Sequence, residues 1–257
     1  MVIHRFHLPP ARCLGDEIQL EGREAHHAQD VLRLRVGDRL EVLDGAGAEL
    51  LCDVREVSSK RLQLAVRQRQ QAPPRAHAIT LLQAIPKGRA METIVQKATE
   101  LGAARIVPLL SERTVPNLEG DSAEAKRDKW QQVAVEAIKQ CGNPWLPAVE
   151  LPTTPREFLA RREQFELPLV GSLLQDRRHP RQCFSDFERA QGRLPRTLCA
   201  WIGPEGDFTP AELGAIKAGG ALPITLGPLV LRSETAAIYT LAVLAYELQG
   251  GLVAGPA

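Results

Sequence analysis

The sequence predicts an α/β protein in which a mostly parallel sheet, with helices on both faces, follows a small β-barrel. Three observations lead there. From residue 78 onward, short apolar runs alternate with amphipathic stretches, the rhythm of βαβ units. Before residue 72 the apolar runs are short, closely spaced and separated by turn residues, as in small barrels. Between the two lies Gln70-Gln71-Ala72-Pro73-Pro74-Arg75-Ala76. Its Pro-Pro step is extended and semi-rigid, so the chain divides into a barrel over 1–71, a linker over 72–76 and a second domain over 77–257.

Taken in order, the first domain has strand-like segments at 17–20, 39–43, 49–57 and 61–67. Turn signals separate them at Leu14-Gly15-Asp16, Val36-Gly37-Asp38, Asp44-Gly45-Ala46-Gly47 and Ser58-Ser59-Lys60. A short helix over 24–32 interrupts the strands and carries His26-His27. Adjacent helical residues point about 100° apart, so these two cannot hold one metal from one face. No Cys or acidic partner stands at ligand spacing, and no metal is expected.

In the second domain the strands fall at 78–84, 105–110, 168–173, 197–202 and 222–226. A helix over 89–101 places Met91, Ile94, Val95, Ala98 and Leu101 on one face and stops at Gly102. Another over 122–140 carries Trp130, Val133, Ala134, Ala137 and Ile138 as an apolar stripe, and ends at Gly142-Asn143-Pro144. The basic segment Arg177-Arg178-His179-Pro180-Arg181, continued by Arg189, Arg193 and Arg196, reads as including a surface loop. Thr209, Pro210 and Glu212 form a capping box that starts a helix closed by Gly219-Gly220. The last helix spans 234–248, with Ser233 as its N-cap and Gly250-Gly251 as its stop.

Composition bounds the function. The 257 residues are 44 % hydrophobic and 25 % charged, values of a globular protein. No apolar run approaches the ~20 residues of a membrane span, and the N-terminus lacks the apolar core of a signal peptide, which makes the cytoplasm the expected location. Five scattered cysteines without CxxC pairing read as packed, reduced thiols. Net charge is +1, yet no acid falls between Val57 and Met91 while Lys60, Arg61, Arg67, Arg69, Arg75, Lys87 and Arg89 do. That stretch is either a phosphate-facing stripe or a solvated face balanced by acids elsewhere.

Chemistry concentrates near the C-terminus. Trp201-Ile202-Gly203-Pro204-Glu205-Gly206-Asp207-Phe208 and Leu226-Gly227-Pro228-Leu229-Val230-Leu231-Arg232-Ser233-Glu234-Thr235-Ala236 share one plan: apolar run, Gly/Pro loop, helix start. Such loops sit at the carboxyl ends of strands, where open α/β sheets bind ligands. GxGxxG after a strand, GxxxxGK[ST], GxSxG and HExxH are all absent. Two such loops, with the end of the 168–173 strand, build a pocket of few charges suited to a flat, partly neutral ligand such as adenine plus ribose. Arg232 and Glu234 read either as functional groups or as a helix-end pair on the dipole.

These two loops resemble those of the bacterial small-subunit ribosomal RNA uridine-N3 methyltransferases, a family of knotted (SPOUT) enzymes using S-adenosylmethionine (SAM). Further matches run in order along the chain. They are Arg5-Phe6, His26-His27, Val31-Leu32-Arg33 and Val36-Gly37-Asp38, then Lys97 to Gly102, Ser111-Glu112-Arg113, Trp130, Glu136-Ala137 and Gln140. The chain departs from the family pattern at Asp207, where a second Gly is frequent, at Ser233, where Thr is usual, and at Gly142-Asn143, where many members have Arg. The resemblance implies a PUA-like RNA-binding barrel, a deep C-terminal trefoil knot, a homodimer, and methylation at N3 of a 16S ribosomal RNA uridine in the assembled 30S subunit. It implies SAM contacts from Leu173, Gly203, Pro204, Glu205, Gly206, Leu226, Gly227, Leu231, Ser233 and Thr235. Arg232 and Glu205 would serve catalysis, and Arg5, Arg33, Arg67 and Arg69 would contact RNA. A non-catalytic ribosome-assembly protein and a knotted transfer-RNA methyltransferase are the alternatives.

Overall fold

The computed structural model describes residues 3–58, 61–114 and 122–249. The turn expected at Ser59-Lys60 and the stop at Gly250-Gly251 lie outside them. Contacts group the chain into two compact units, Met1–Pro74 with Val135–Leu146, and Arg75–Ala134 with Pro147–Ala257.

The first unit is built on one five-stranded sheet of β1 (His4–His7), β2 (Glu17–Glu21), β3 (Arg39–Leu43), β4 (Ala48–Ser58) and β5 (Arg61–Gln71). The spatial order is β1-β3-β4-β5-β2, antiparallel except for the β1–β3 pair. The two edge strands are not paired with each other, so the barrel expected from strand spacing is an open sheet by hydrogen bonding. Strict alternation on β3 and the first half of β4 drives Leu40, Val42, Leu50, Cys52 and Val54 into one core with Phe6, Leu62 and Leu64. Strand β1 is too short and too polar to stand out in the sequence. Helix α1 (Gly22–His26) runs on as a π-turn over His27–Val31. His26 pairs with Asp30 at 2.5 Å and His27 meets the edge of Phe6.

The second unit is a six-stranded, all-parallel sheet. Its strands are β6 (Ala78–Ala84), β7 (Arg105–Leu109), β8 (Ala148–Val149), β9 (Leu167–Gly171), β10 (Thr197–Ile202) and β11 (Leu222–Ile224), in the order β11-β9-β10-β6-β7-β8. The β8 strand and helix α4 (Pro155–Ala160) were not foreseen; each is too short to carry a periodic signal. The helices α2 (Ala90–Glu100), α3 (Ala123–Cys141), α6 (Pro210–Ala218) and α7 (Ser233–Gln249) fall where apolar spacing puts them. Helices α4 and α6 cover one sheet face, sharing a core of Leu82, Val107, Phe158, Trp201, Leu213 and Ile216. Helices α2 and α7 pack together, and α7 also lies against β10.

The basic segment read as including a surface loop does so on either side of a helix that was not foreseen: Pro180–Gln191 is a twelve-residue helix, α5. His179 caps it, Pro180 starts it, and Pro180, Cys183 and Phe184 are its buried face. Four of the five cysteines are buried, and burial pushes the Cys52 and Cys199 thiols up to about 12, so they stay protonated.

Candidate active site

Strands β11, β9 and β10 are adjacent and parallel, so their carboxyl ends open on one edge. The loops leaving those ends enclose a solvent-open cleft. Leu173, Gly203, Pro204, Glu205, Leu226, Gly227, Leu231 and Ser233 line it. Gly206, Thr235 and Arg232 do not.

Two glycines are fixed by backbone geometry. A Cβ on Gly203 would stand 2.8 Å from Asp207 Oδ1, closer than real contacts allow, and a tight 3.1 Å from the Asp207 Cα. Gly227 has φ +107°, a conformation that side chains disfavour, with open space around it. Asp207 has φ 60°. That left-handed turn explains how Asp stands where Gly is frequent, since Asp tolerates it by local hydrogen bonding. Its Oδ1 accepts from the Phe208 N–H at 2.7 Å. Burial raises the Asp207 carboxyl above the usual range, against hydrogen bonds from Phe208 and Leu173 backbone and the nearby Arg113 charge.

Other contacts brace the β10 loop from outside. Glu205 Oε1 accepts from the Lys87 N–H at 3.0 Å, so its carboxylate ties this loop to the one after β6. Arg113 donates to the Gly206 carbonyl. Gly206 thus holds the loop from its outer side instead of lining the cleft.

Ser233 is not the cap of α7. The Arg232 carbonyl accepts from the Ala236 N–H at 2.8 Å, which makes Arg232 the N-cap. The Ser233 hydroxyl, 3 % exposed, instead donates to the Gly203 carbonyl at 2.8 Å and accepts from Gln83 Nε2 at 2.9 Å. Gln83 is fully buried on β6 and also donates to the Ala84 carbonyl. This relay joins β6, the β10 loop and the start of α7. Thr235 points outward from the first turn of that helix and is exposed. Arg232 is exposed between two cleft residues and makes no ion pair among the described residues, so the helix-end pair with Glu234 is not formed.

The proposed RNA residues are dispersed over the first unit. Arg5 pairs with Glu41 at 2.6 Å, and its guanidinium lies where a Cβ on Gly142 would stand. Arg67 pairs with Asp53 at 2.7 Å, which Arg39 shares, so part of the acid-free stretch is balanced by an acid outside it. Arg69 donates to the Gly15 carbonyl at 3.1 Å. Arg33, at φ 55°, is exposed without an ion pair among the described residues.

Sequence reasoning missed Ser172, Arg177, Asp207 and Val230 among the lining residues. Val230 carried a signal, being a large apolar residue in a Gly/Pro loop; it is about three-quarters exposed, as is its neighbour Leu229. Arg177 gave none, because only the fold brings it beside Leu173, whose carbonyl it bonds at 2.9 Å.

Comparison with known proteins decides the family. The RNA methyltransferase domain matches residues 73–245, and the RNA methyltransferase PUA domain matches residues 20–67. The chain belongs to the RNA methyltransferase family. This methyltransferase is 32 % identical to Ribosomal RNA small subunit methyltransferase E of Synechocystis, over 94 % of its own length and 77 % of the relative's. It is 29 % identical to the Bacillus subtilis protein of that name, over 90 % of each. Among solved structures, a Legionella pneumophila protein in complex with bound SAM matches with TM-score 0.84 and 29 % identity over 98 % of both chains. The Neisseria gonorrhoeae Ribosomal RNA small subunit methyltransferase E bound to S-adenosyl methionine matches with TM-score 0.80 and 26 % identity, over 95 % of this chain and 98 % of that one.

Proposed function

We propose that this protein is a SAM-dependent methyltransferase acting at N3 of a uridine in 16S ribosomal RNA, on the assembled 30S subunit in the bacterial cytoplasm. The observation that carries the reading is the cleft itself. It lies within the matched methyltransferase domain and is made by two Gly/Pro loops and the β9 end, and full-length relatives hold SAM.

The cleft fits that cofactor by its donor set. The backbone groups of Leu229, Val230 and Leu231 make no hydrogen bonds among the described residues, and their side chains and Leu226 form apolar walls. Such a site suits an adenine ring, which is flat and neutral and bonds to backbone. Arg177, a cleft residue free of ion pairs among the described residues, suits the carboxylate end. Gly203, Pro204, Leu173, Gly227 and Ser233 complete the contact set, with Gly206 and Thr235 acting from outside the wall.

When bound, SAM supplies an electrophilic methyl group. The chain must then position a base and handle one proton. Uracil N3–H is a poor nucleophile, and negative charge builds on the ring as that proton leaves. Arg232 stands at the rim with an uncommitted guanidinium and stabilises that charge. Glu205 serves catalysis by fixing the β10 loop through the Lys87 N–H. Because N3 lies on the pairing edge, the target uridine is unpaired or flipped out.

Residues 1–71 serve as the RNA-gripping module, with Arg5, Arg33, Arg67 and Arg69 toward phosphate, and residues 72–76 join it to the catalytic domain, 77–257. The loop over 227–232 belongs to a trefoil knot through which the α7 segment is threaded. The protein acts as a homodimer. In support, the exposed Tyr239, Ala242 and Tyr246 recur at helical spacing along one side of α7, and Leu229 and Val230 are exposed in the loop before it, apolar surface that a second copy covers. The test is nucleoside mass spectrometry of 16S RNA from a deletion strain. Loss of 3-methyluridine, restored by the wild-type gene, is the expected result. An intact 3-methyluridine level, or loss of a transfer-RNA nucleoside instead, overturns the reading.

A further inference from the structure

The basic segment that follows the cleft has a structure of its own. Arg178, His179, Arg181, Asp186 and Arg189 line an open groove on the outer side of α5, and its other lining side chains are uncharged and polar. One carboxylate, Asp186, serves two guanidinia, those of Arg178 and Arg189, the latter at 3.1 Å. Arg181 makes no ion pair among the described residues. Three arginines against one aspartate leave the groove positive at neutral pH. Nearby acids are spent elsewhere: Asp176 pairs with Lys217, and Glu166 pairs with Arg193 at 2.7 Å. Glu188, also on α5, is exposed and does not line the groove.

The groove is continuous with the cleft through the backbone. The Arg178 N–H donates to the Pro223 carbonyl at 2.9 Å, and its carbonyl accepts from the Thr225 N–H at 2.9 Å. Arg178 is therefore stitched to the strand that leads into the cleft loop, and its neighbour Arg177 lines the cleft. A cationic track starts at Arg177, passes Arg178 and reaches Arg181 and Arg189. No large apolar side chain lines the groove, which disfavours a membrane or an apolar peptide as occupant.

The geometry points to α5 as a phosphate-backbone contact for the RNA strand flanking the target nucleotide. The recognition is electrostatic and independent of sequence, and it supplies register while the cleft reads the base. This inference rests on the RNA-methylating reading above.

The test uses the full-length protein with 30S subunits from a strain lacking it. The variants are R181Q/R189Q and Asp186→Asn, with salt-dependent 30S binding, KM, kcat and SAM affinity as readouts. Loss of two phosphate contacts lowers the slope of log affinity against log salt by about 1.5. The double variant is expected to show that change and a KM for 30S raised about tenfold, with SAM affinity and kcat within twofold of wild type. Asp186→Asn, which removes the groove's one acid and releases two arginines, is expected to lower KM. An unchanged slope and KM in the double variant, or a raised KM in Asp186→Asn, overturns the inference. Wild-type protein that binds 30S through Arg181 and Arg189 but forms no 3-methyluridine overturns the substrate reading and leaves this surface standing.

Discussion

Removing the Ser233 hydroxyl tests whether the cleft is held together by one buried relay. Ser233→Ala deletes two hydrogen bonds at once, to the Gly203 carbonyl and from Gln83 Nε2. The Gln83 amide keeps its bond to the Ala84 carbonyl, so only one of its two N–H groups is stranded. Gly203 is partly exposed, and its carbonyl regains some of its loss from water. A buried group left without a partner costs about 1–3 kcal/mol. With one stranded N–H fully buried and one carbonyl half-compensated, the sum is about 2 kcal/mol. The same change frees the β10 loop from α7, so SAM affinity falls about tenfold, equivalent to ~1.4 kcal/mol of lost preorganisation. Urea unfolding gives the first quantity and calorimetric SAM titration the second. Ser233→Thr, which keeps the hydroxyl, separates lost bonding from lost volume. In a double-mutant cycle with Gln83→Leu, the two changes are non-additive by more than about 0.5 kcal/mol if the relay is a unit. A stability loss under about 0.5 kcal/mol together with an unaltered SAM affinity would refute the relay.

Three further predictions concern the same cleft. Arg232→Ala leaves SAM affinity within twofold but lowers single-turnover methylation of 30S by about a hundredfold or more, the range for a lost charge-stabilising donor; equal activity rejects the assignment. Gly227→Ala meets no atom within 4 Å but forces a side chain onto φ +107°, a strain of about 1–3 kcal/mol that the exposed loop relieves by shifting. Its SAM affinity therefore drops while its unfolding free energy barely moves, and the reverse pattern is evidence against the loop as a cofactor wall. Burial raises the Asp207 carboxyl above its unfolded value, so the folded state binds that proton more tightly. Stability from this group is full below the unfolded pKa and falls as pH rises through the folded one. Asp207→Asn flattens that segment of the stability–pH curve and is more stable than wild type at neutral pH; an unchanged curve removes Asp207 as its source.

The sheet of the second unit was legible because it is parallel and buried on both faces. Its strands are continuous apolar runs, and each glycine or proline that stops one is local. The capping box of Thr209, Pro210 and Glu212 was legible for the same reason: all its partners lie within one turn. What escaped was either short or disguised. Strand β8 has two residues and depends on β7 for its existence. Helix α5 did carry a pattern, with Pro180, Cys183, Phe184 and Phe187 at i, i+3, i+4 and i+7. The arginines around them drew attention to charge and away from period.

The site divides along the same line between local and non-local. Gly203 and Gly227 could be found from the chain because their constraints are steric and lie within a few residues. The tasks of Ser233 and Glu205 could not. A serine before an apolar helix is the pattern of an N-cap, and nothing local argues against it. Only when β10 and β6 run side by side do the Gly203 carbonyl and Gln83 arrive at its hydroxyl, and only then does the cap fall to the preceding backbone. Glu205 likewise finds its partner in the Lys87 N–H, at the end of the neighbouring strand. Both residues line the cleft, and each is held there by a partner on a different strand–loop unit. A side-chain substitution at Gln83, or proline at Lys87, which removes the donating N–H, is therefore coupled to the cleft loops although both positions are distant in sequence and absent from the cleft wall.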